Sequence, residues 1–186
     1  MKKSDTPKIF IHCSASSWGS ADVFREWHTA PKESGGRGWS DIGYHYVILN
    51  PFPNYKSKKE NKPQHTDGII ENGRPLDSDD VIEAHERGAH VKGFNTGTLG
   101  VCLVGNETFT VNQIEAAVKH VNRLLLRFGF NVADVWGHYE ADDKKTCPNL
   151  NMDVFRDILA KYNKGHLQNV RRLQATINQK FLDVLK

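Results

Sequence analysis

No stretch of this 186-residue chain stays apolar for the roughly 18 positions that a membrane-spanning helix requires. Its densest patches, Val101-Cys102-Leu103-Val104 and Leu124-Leu125-Leu126, end after three or four residues. The N-terminal segment has the two lysines of a secretory leader, but only Ile9-Phe10-Ile11 precedes polar His12, so no signal peptide is expected. Cysteine is scarce. Cys13, Cys102 and Cys147 cannot all pair, and in a chain without an export signal they read as reduced thiols. An excess of one charge is missing as well: 25 Lys plus Arg stand against 22 Asp plus Glu, a net of +3. That balance argues against a disordered acidic tail and against a polybasic nucleic-acid arm, so nucleic acid is not an expected partner. No internal repeat is present.

What remains is the pattern of one mixed α/β domain, a central β-sheet flanked by helices. Lys8 to Cys13 is a β-rich run, followed by a helix with Ser20 as cap and Val23, Phe24 and Trp27 facing inward. Tyr44 to Leu49 predicts a strand that pairs with Gly68 to Glu71 ahead of the Asn72-Gly73 turn. Between them, residues 50–67 hold three prolines, four lysines and little that could be buried, which predicts an exposed excursion. Thr98 to Val104 is nearly all apolar and reads as a central strand. Thr110 caps a helix whose inward stripe is Ile114, Ala117, Val118, Val121, Leu125 and Phe128, with Gly129 as its stop. Ala133 to Gly137 gives a short strand, and Asp153 begins a helix through Tyr162.

The chemistry concentrates at His12, His138 and Cys147, each at the end of an expected strand or in the loop after one, where side chains leave the core. Two imidazoles and a thiolate suit zinc, which prefers nitrogen and sulfur donors. A catalytic zinc commonly has three protein ligands, leaving a fourth position for water. Spacing alone is weak support, because most histidines lie on the surface or serve the core.

Five segments strengthen it by occurring in order: Ile9-Phe-Ile-His-Cys-Ser-Ala-Ser16, Asp41-Ile-Gly-Tyr-His-Tyr46, Gly88-Ala-His-Val-Lys-Gly-Phe-Asn95, Leu99-Gly-Val-Cys-Leu-Val-Gly105, and Gly137-His138 through Lys145-Thr-Cys-Pro148. Across about residues 8–160 the chain resembles the type 2 zinc N-acetylmuramoyl-L-alanine amidases, which include small phage lysozymes and the peptidoglycan recognition proteins. The resemblance implies one zinc per chain on His12, His138 and Cys147, a catalytic tyrosine at Tyr44, and a catalytic lysine at Lys145, with Lys144 as the alternative register. His90 and Asn95 match a segment of the family's site wall and read either as substrate contacts or as turn geometry beside Lys92-Gly93. Strand alternation puts His45 on the face opposite Tyr44, so His45 is expected to be structural. Cys13 and Cys102, on apolar strands, read as small buried hydrophobes.

The implied activity is hydrolysis of the amide between N-acetylmuramic acid and L-alanine in peptidoglycan. The absent leader fits a phage or prophage endolysin made in the host cytoplasm that reaches the wall through a separate membrane lesion. The rival class is a peptidoglycan-binding module without catalysis, which the presence of Cys147 opposes. Some small phage amidases also bind and inhibit their phage's RNA polymerase, so that partner stands as an alternative, although no motif here identifies the surface.

Two segments have no counterpart in the shortest phage amidases: the 50–67 excursion and the extension after about residue 163. The expected division is therefore a catalytic domain over 1–163 and a basic amphipathic helix over 164–186. In the latter, Leu167, Val170, Leu173, Ile177, Phe181 and Val184 recur every three or four residues, and Gly165 is expected to break the chain before it. Residues 161–186 carry +5 and the rest −2. The stripe either packs on the core or holds the enzyme at an anionic membrane or envelope polymer.

Overall fold

The computed structural model describes the backbone of residues 1–184 and side chains through residue 168. Its elements run β1 (Ile9–Cys13), α1 (Ala21–Thr29), β2 (Tyr46–Ile48), α2 (Tyr55–Lys59), β3 (Ile70–Asn72), β4 (Leu99–Leu103), α3 (Val111–Phe128), β5 (Val135–Gly137) and α4 (Met152–Val184). The five strands form one sheet in the order β3-β2-β4-β1-β5. Only the β2–β3 pair is antiparallel, with Val47 opposite Glu71. β4 is the central strand, parallel to both β1 and β2, with His12 opposite Cys102 and Val47 opposite Cys102 on the other side.

Alternation along these strands sorts the core into two faces. Ile9, Ile11, Leu99, Val101 and Leu103 pack with Ala117, Val121 and Leu125 of α3 and with Phe155 and Leu159 of α4. The opposite face carries Cys102, Val104, Val47 and Leu49, which pack with Ala21 and Phe24 of α1. α1 covers only part of that face; over β1 the cover is Val91 and Trp136 packed on Phe10, and His12 points into this region beside His90. Burying one leucine-sized side chain contributes about 1.5–3 kcal/mol, so these two layers dominate the stability of the frame.

Local signals set the ends of the helices. The Ser20 side chain accepts from Val23 N at the start of α1, and Thr110 with Gln113 forms a reciprocal capping box at the start of α3. Gly129 closes α3 in the left-handed region at φ 67°. Three expectations change. Trp27 is 36% exposed instead of inward, because Ala21, Phe24 and Ile42, with Val23 and Tyr44, fill the space over Val47 and Leu49. The 50–67 excursion is not wholly without structure: it folds the short helix α2 and buries Ser57, whose hydroxyl donates to Asn54 O. The break at Gly165 is absent, since α4 continues through it. A helical glycine costs only about 0.5–1 kcal/mol relative to alanine, too little to end a helix by itself. Of the expected amphipathic stripe, Leu167 is exposed, and the side chains of Val170, Leu173, Ile177, Phe181 and Val184 lie outside the described residues. No helix among the described residues is long and apolar enough to cross a membrane.

Candidate active site

His12 projects from β1 on the face of the sheet that α1 leaves to other elements, where it is 1% exposed. β5 runs parallel to β1 on its outer side, and the chain leaves β5 through a single helical turn, His138–Glu140, that carries His138 to within 4.9 Å of the His12 ring, centre to centre. The following loop returns Cys147, with Tyr139 N donating to Cys147 O at 2.9 Å. The candidate ligand atoms of His12, His138 and Cys147 thus all lie within 4.8 Å of one another. His138 and Cys147 line a cleft of about 510 Å³, together with Tyr44, His28, Trp39, His90, Lys144 and Lys145, and buried His12 lies directly behind them.

The donor set fits a zinc ion. His12 Nδ1 stands 3.8 Å from Cys147 Sγ, close to the roughly 3.5 Å that tetrahedral bonds of about 2.0 and 2.3 Å would give. Burial, followed by the neighbouring His90, His138 and His45, holds His12 well below its usual pKa, and burial and then Lys145 lower His138. Both imidazoles are therefore neutral and keep a nitrogen lone pair for a metal. The Cys147 thiol is pushed up by its contact with the Cys13 thiol and by burial, and Cys13 N points at its sulfur from 3.2 Å. A bound cation would draw the proton off, and that N–H would then support the thiolate.

His90 is the residue whose place differs most from a simple wall position. Its Nδ1 lies 3.2 Å from His12 Nε2, and it is 8% exposed. Burial holds His90 down to about 3, so its neutral ring can accept from His12 Nε2–H and leave His12 Nδ1 facing Cys147. Gly100 on β4 makes room for it, because a Cβ there would stand 2.8 Å from His90 Cγ. Asn95 lies outside the cleft lining. Its Oδ1 accepts from both His90 N and Val91 N at 2.8 Å, so it shapes the turn that presents His90.

Tyr44, half-buried, places its ring 5.2 Å from His12, and its hydroxyl lies against the Cys102 thiol. Burial first, then the nearby thiols, push its pKa well up, so it remains a hydrogen-bond donor. Lys144 and Lys145 both line the cleft, but the Lys145 ammonium is the one whose charge reaches His138. His45, like Tyr44, precedes β2, so strand alternation does not govern it; it lies outside the cleft lining, with its ring 5.7 Å from that of His90. It accepts from Gly100 N at Nδ1 and donates from Nε2 to Glu86 O, both at 2.9 Å. Cys102 is fully buried, whereas Cys13, though buried, reaches the cleft at Cys147.

Two contributors carried no clear signal in the sequence. His28, at the end of α1, lines the cleft and accepts from Gly43 N, which fixes the loop leading to Tyr44. Burial, then Arg37 and Arg74, keep it neutral at about 4. Arg156 of α4 is 2% exposed and binds both oxygens of Glu140 at 2.8 and 2.9 Å, while Glu140 Oε2 also accepts from Gly137 N. This pair clamps the turn that carries His138. A charged residue on an amphipathic helix ordinarily faces solvent, so nothing in the pattern singled Arg156 out.

Two imidazole nitrogens and a thiol converging beside an open cleft lined by a phenol and an ammonium form a donor set that could hold a metal on an α/β sheet. A profile of the N-acetylmuramoyl-L-alanine amidase family matches residues 2–150, and the chain belongs to that family, the type 2 amidases. The endolysin of Klebsiella phage KP32 is 33% identical over 163 residues, covering 81% of this chain and 85% of that protein. Among solved structures, the amidase LysC from Clostridium intestinale superposes with a TM-score of 0.59 at 23% identity, covering 86% of each chain. Drosophila PGRP-LB superposes with 0.54 at 21% identity, covering 79% of this chain and 76% of its own. At those identities the two structures share the fold.

Proposed function

We propose that this chain is a zinc-dependent N-acetylmuramoyl-L-alanine amidase that serves as a phage or prophage endolysin. The observation that carries the reading is the convergence of His12, His138 and Cys147 beneath Tyr44 and Lys145, in a chain of the amidase family. The KP32 relative, an endolysin, supports the lytic setting.

His12, His138 and Cys147 would hold the zinc, which when bound supplies a Lewis acid that polarises the amide carbonyl and makes water a usable nucleophile near neutral pH. His90 keeps His12 in the tautomer that leaves Nδ1 free. As water adds to the carbonyl carbon, negative charge grows on the former carbonyl oxygen, and the Tyr44 hydroxyl and Lys145 ammonium at the cleft wall offset it. The C–N bond then breaks, the nitrogen leaves with a proton as the amino terminus of L-alanine, and the lactyl group is left as a carboxylate. Because both groups act on charge that exists only in the transition state, they bear on turnover more than on binding.

Digestion of purified peptidoglycan with product analysis tests the reading. Stem peptides with a free L-alanine amino terminus, released by protein holding one zinc per chain, are the expected result. Binding to the wall without such products would support a non-catalytic module. Full activity in zinc-free, chelator-resistant protein would overturn the metal assignment.

A further inference from the structure

A row of aromatic rings stands beside the cleft, joined to it through His28 and the buried Phe24. His28 lies 4.8 Å from Trp39 and 5.5 Å from Tyr44, both in the cleft lining. Phe24 lies 6.5 Å from Tyr44 and 5.4 Å from Trp27, and from there Trp18 stands 5.1 Å from Trp27 and 5.6 Å from Tyr55. Phe24 is buried, whereas Trp39, Trp27 and Tyr55 are 37%, 36% and 58% exposed. Single exposed aromatics are ordinary on a protein surface, but Trp27, Trp18 and Tyr55 touch in series, and Trp27 immediately precedes cleft-lining His28.

The far end of the row is built by the 50–67 excursion. Tyr55 is the first residue of α2, whose cap Asn54 accepts from Ser57 N. Two hydrogen bonds fasten the base of the excursion to the loop that carries Trp18: Gly19 N donates to Phe52 O at 3.0 Å, and Asn50 Nδ2 donates to Ser17 O at 2.9 Å. Tyr55 and Trp18 are therefore held in fixed register, at a place where a freely exposed polar loop would have served solubility as well. Lys58 and Lys59 sit over the Phe52 and Tyr55 rings at 4.7 and 5.9 Å, which sets ammonium donors around this end.

We propose that Trp27, Trp18 and Tyr55 form a ledge on which the sugar rings next to the cleaved muramoyl residue stack. The inference rests on the amidase reading above, and it adds a glycan subsite. Stem peptides hang from a continuous strand of N-acetylated sugars, so cleavage in the cleft obliges neighbouring sugars to pass along its rim. Pyranose rings offer flat C–H faces to aromatic rings, and hydroxyl and acetamide oxygens to lysine ammoniums.

Kinetics of the full chain on two substrates test this: a soluble muramoyl peptide with a single sugar, and a glycan-extended one. Tyr55→Ala is expected to raise KM on the extended substrate about fivefold, the scale of one lost ring contact. It should leave kcat/KM on the single-sugar substrate and the melting temperature unchanged, and Tyr55→Phe should restore the wild-type KM. Equal losses on both substrates would assign the ledge to the stem peptide and overturn the proposal, as would no loss on either. If wild-type protein cleaves neither substrate, the amidase reading fails, and quenching of tryptophan fluorescence by an N-acetylglucosamine tetramer decides the ledge separately. Quenching that Tyr55→Ala weakens upholds it, and quenching absent or unchanged in the variant overturns it.

Discussion

His12 and His90 meet ring nitrogen to ring nitrogen at 3.2 Å, inside the sheet face that carries the cleft. Each imidazole fixes which nitrogen of the other bears the proton, so His90 acts on the candidate metal site through His12 without being one of the three converging donors. Truncation to His90→Ala should weaken zinc affinity about 10- to 100-fold. Competition titration against a chelating dye measures it, and an unchanged affinity would remove the orienting role.

Tyr44→Phe and Lys145→Ala should keep one zinc per chain and lose about 10²- to 10³-fold in kcat, the scale of one lost transition-state donor. Lys144→Ala should change kcat little, because its neighbour is the one whose charge reaches His138. Metal analysis beside steady-state kinetics separates these outcomes. Loss of zinc from either of the first two variants would refute the assignment.

Arg156→Met should destabilise the fold by about 3–5 kcal/mol, since it leaves the Glu140 carboxylate buried without its cation. Urea unfolding gives the number. The same variant should bind zinc more weakly, because the turn bearing His138 loses its clamp, whereas an exposed control such as Lys119→Met should do neither.

Acid should loosen the fold through His45. Burial holds its pKa at about 4 against an ordinary 6.5, with Arg74 adding to the depression and Glu86 and its carbonyl opposing it. The unfolded chain therefore takes up the proton first, so this stability is complete above pH 6.5 and is lost as pH falls toward 4. At pH 5 the loss from this one group comes to about 2 kcal/mol. Urea midpoints at pH 7 and pH 5 should show it, and His45→Gln should reduce the difference by that amount, with His28 and His90 supplying more of it.

The convergence of His12, His138 and Cys147 was legible in part because strand ends are where side chains leave a core: His12 and His138 each close an apolar run, whereas Cys147 ends a polar loop. β4 and α3 were legible for a similar reason: an uninterrupted apolar strand and a capped, periodic helix need no tertiary information. The partnership of His12 with His90 was not, since the two are 78 residues apart and only the pairing of β1 with β4 brings the turn before β4 over His12. Asn95 shows the converse. Its neighbourhood marked the site, but its side chain is spent on two backbone amides. Arg156 and the uninterrupted helix at Gly165 were invisible because one depends on a buried carboxylate from another element and the other on a propensity cost too small to decide.

β5 is an edge strand, hydrogen-bonded to the sheet through β1 alone. His12 belongs to β1, while His138 and Cys147 belong to the segment that leaves β5, so a cation gripping all three would act as a clasp across that one seam. Its removal should leave the centre of the sheet intact and let the margin fray. Hydrogen exchange would record this as faster exchange at Val135–Gly137 after chelation, with Leu99–Leu103 unaffected. In such an arrangement the ion that serves catalysis also holds the border of the sheet in place.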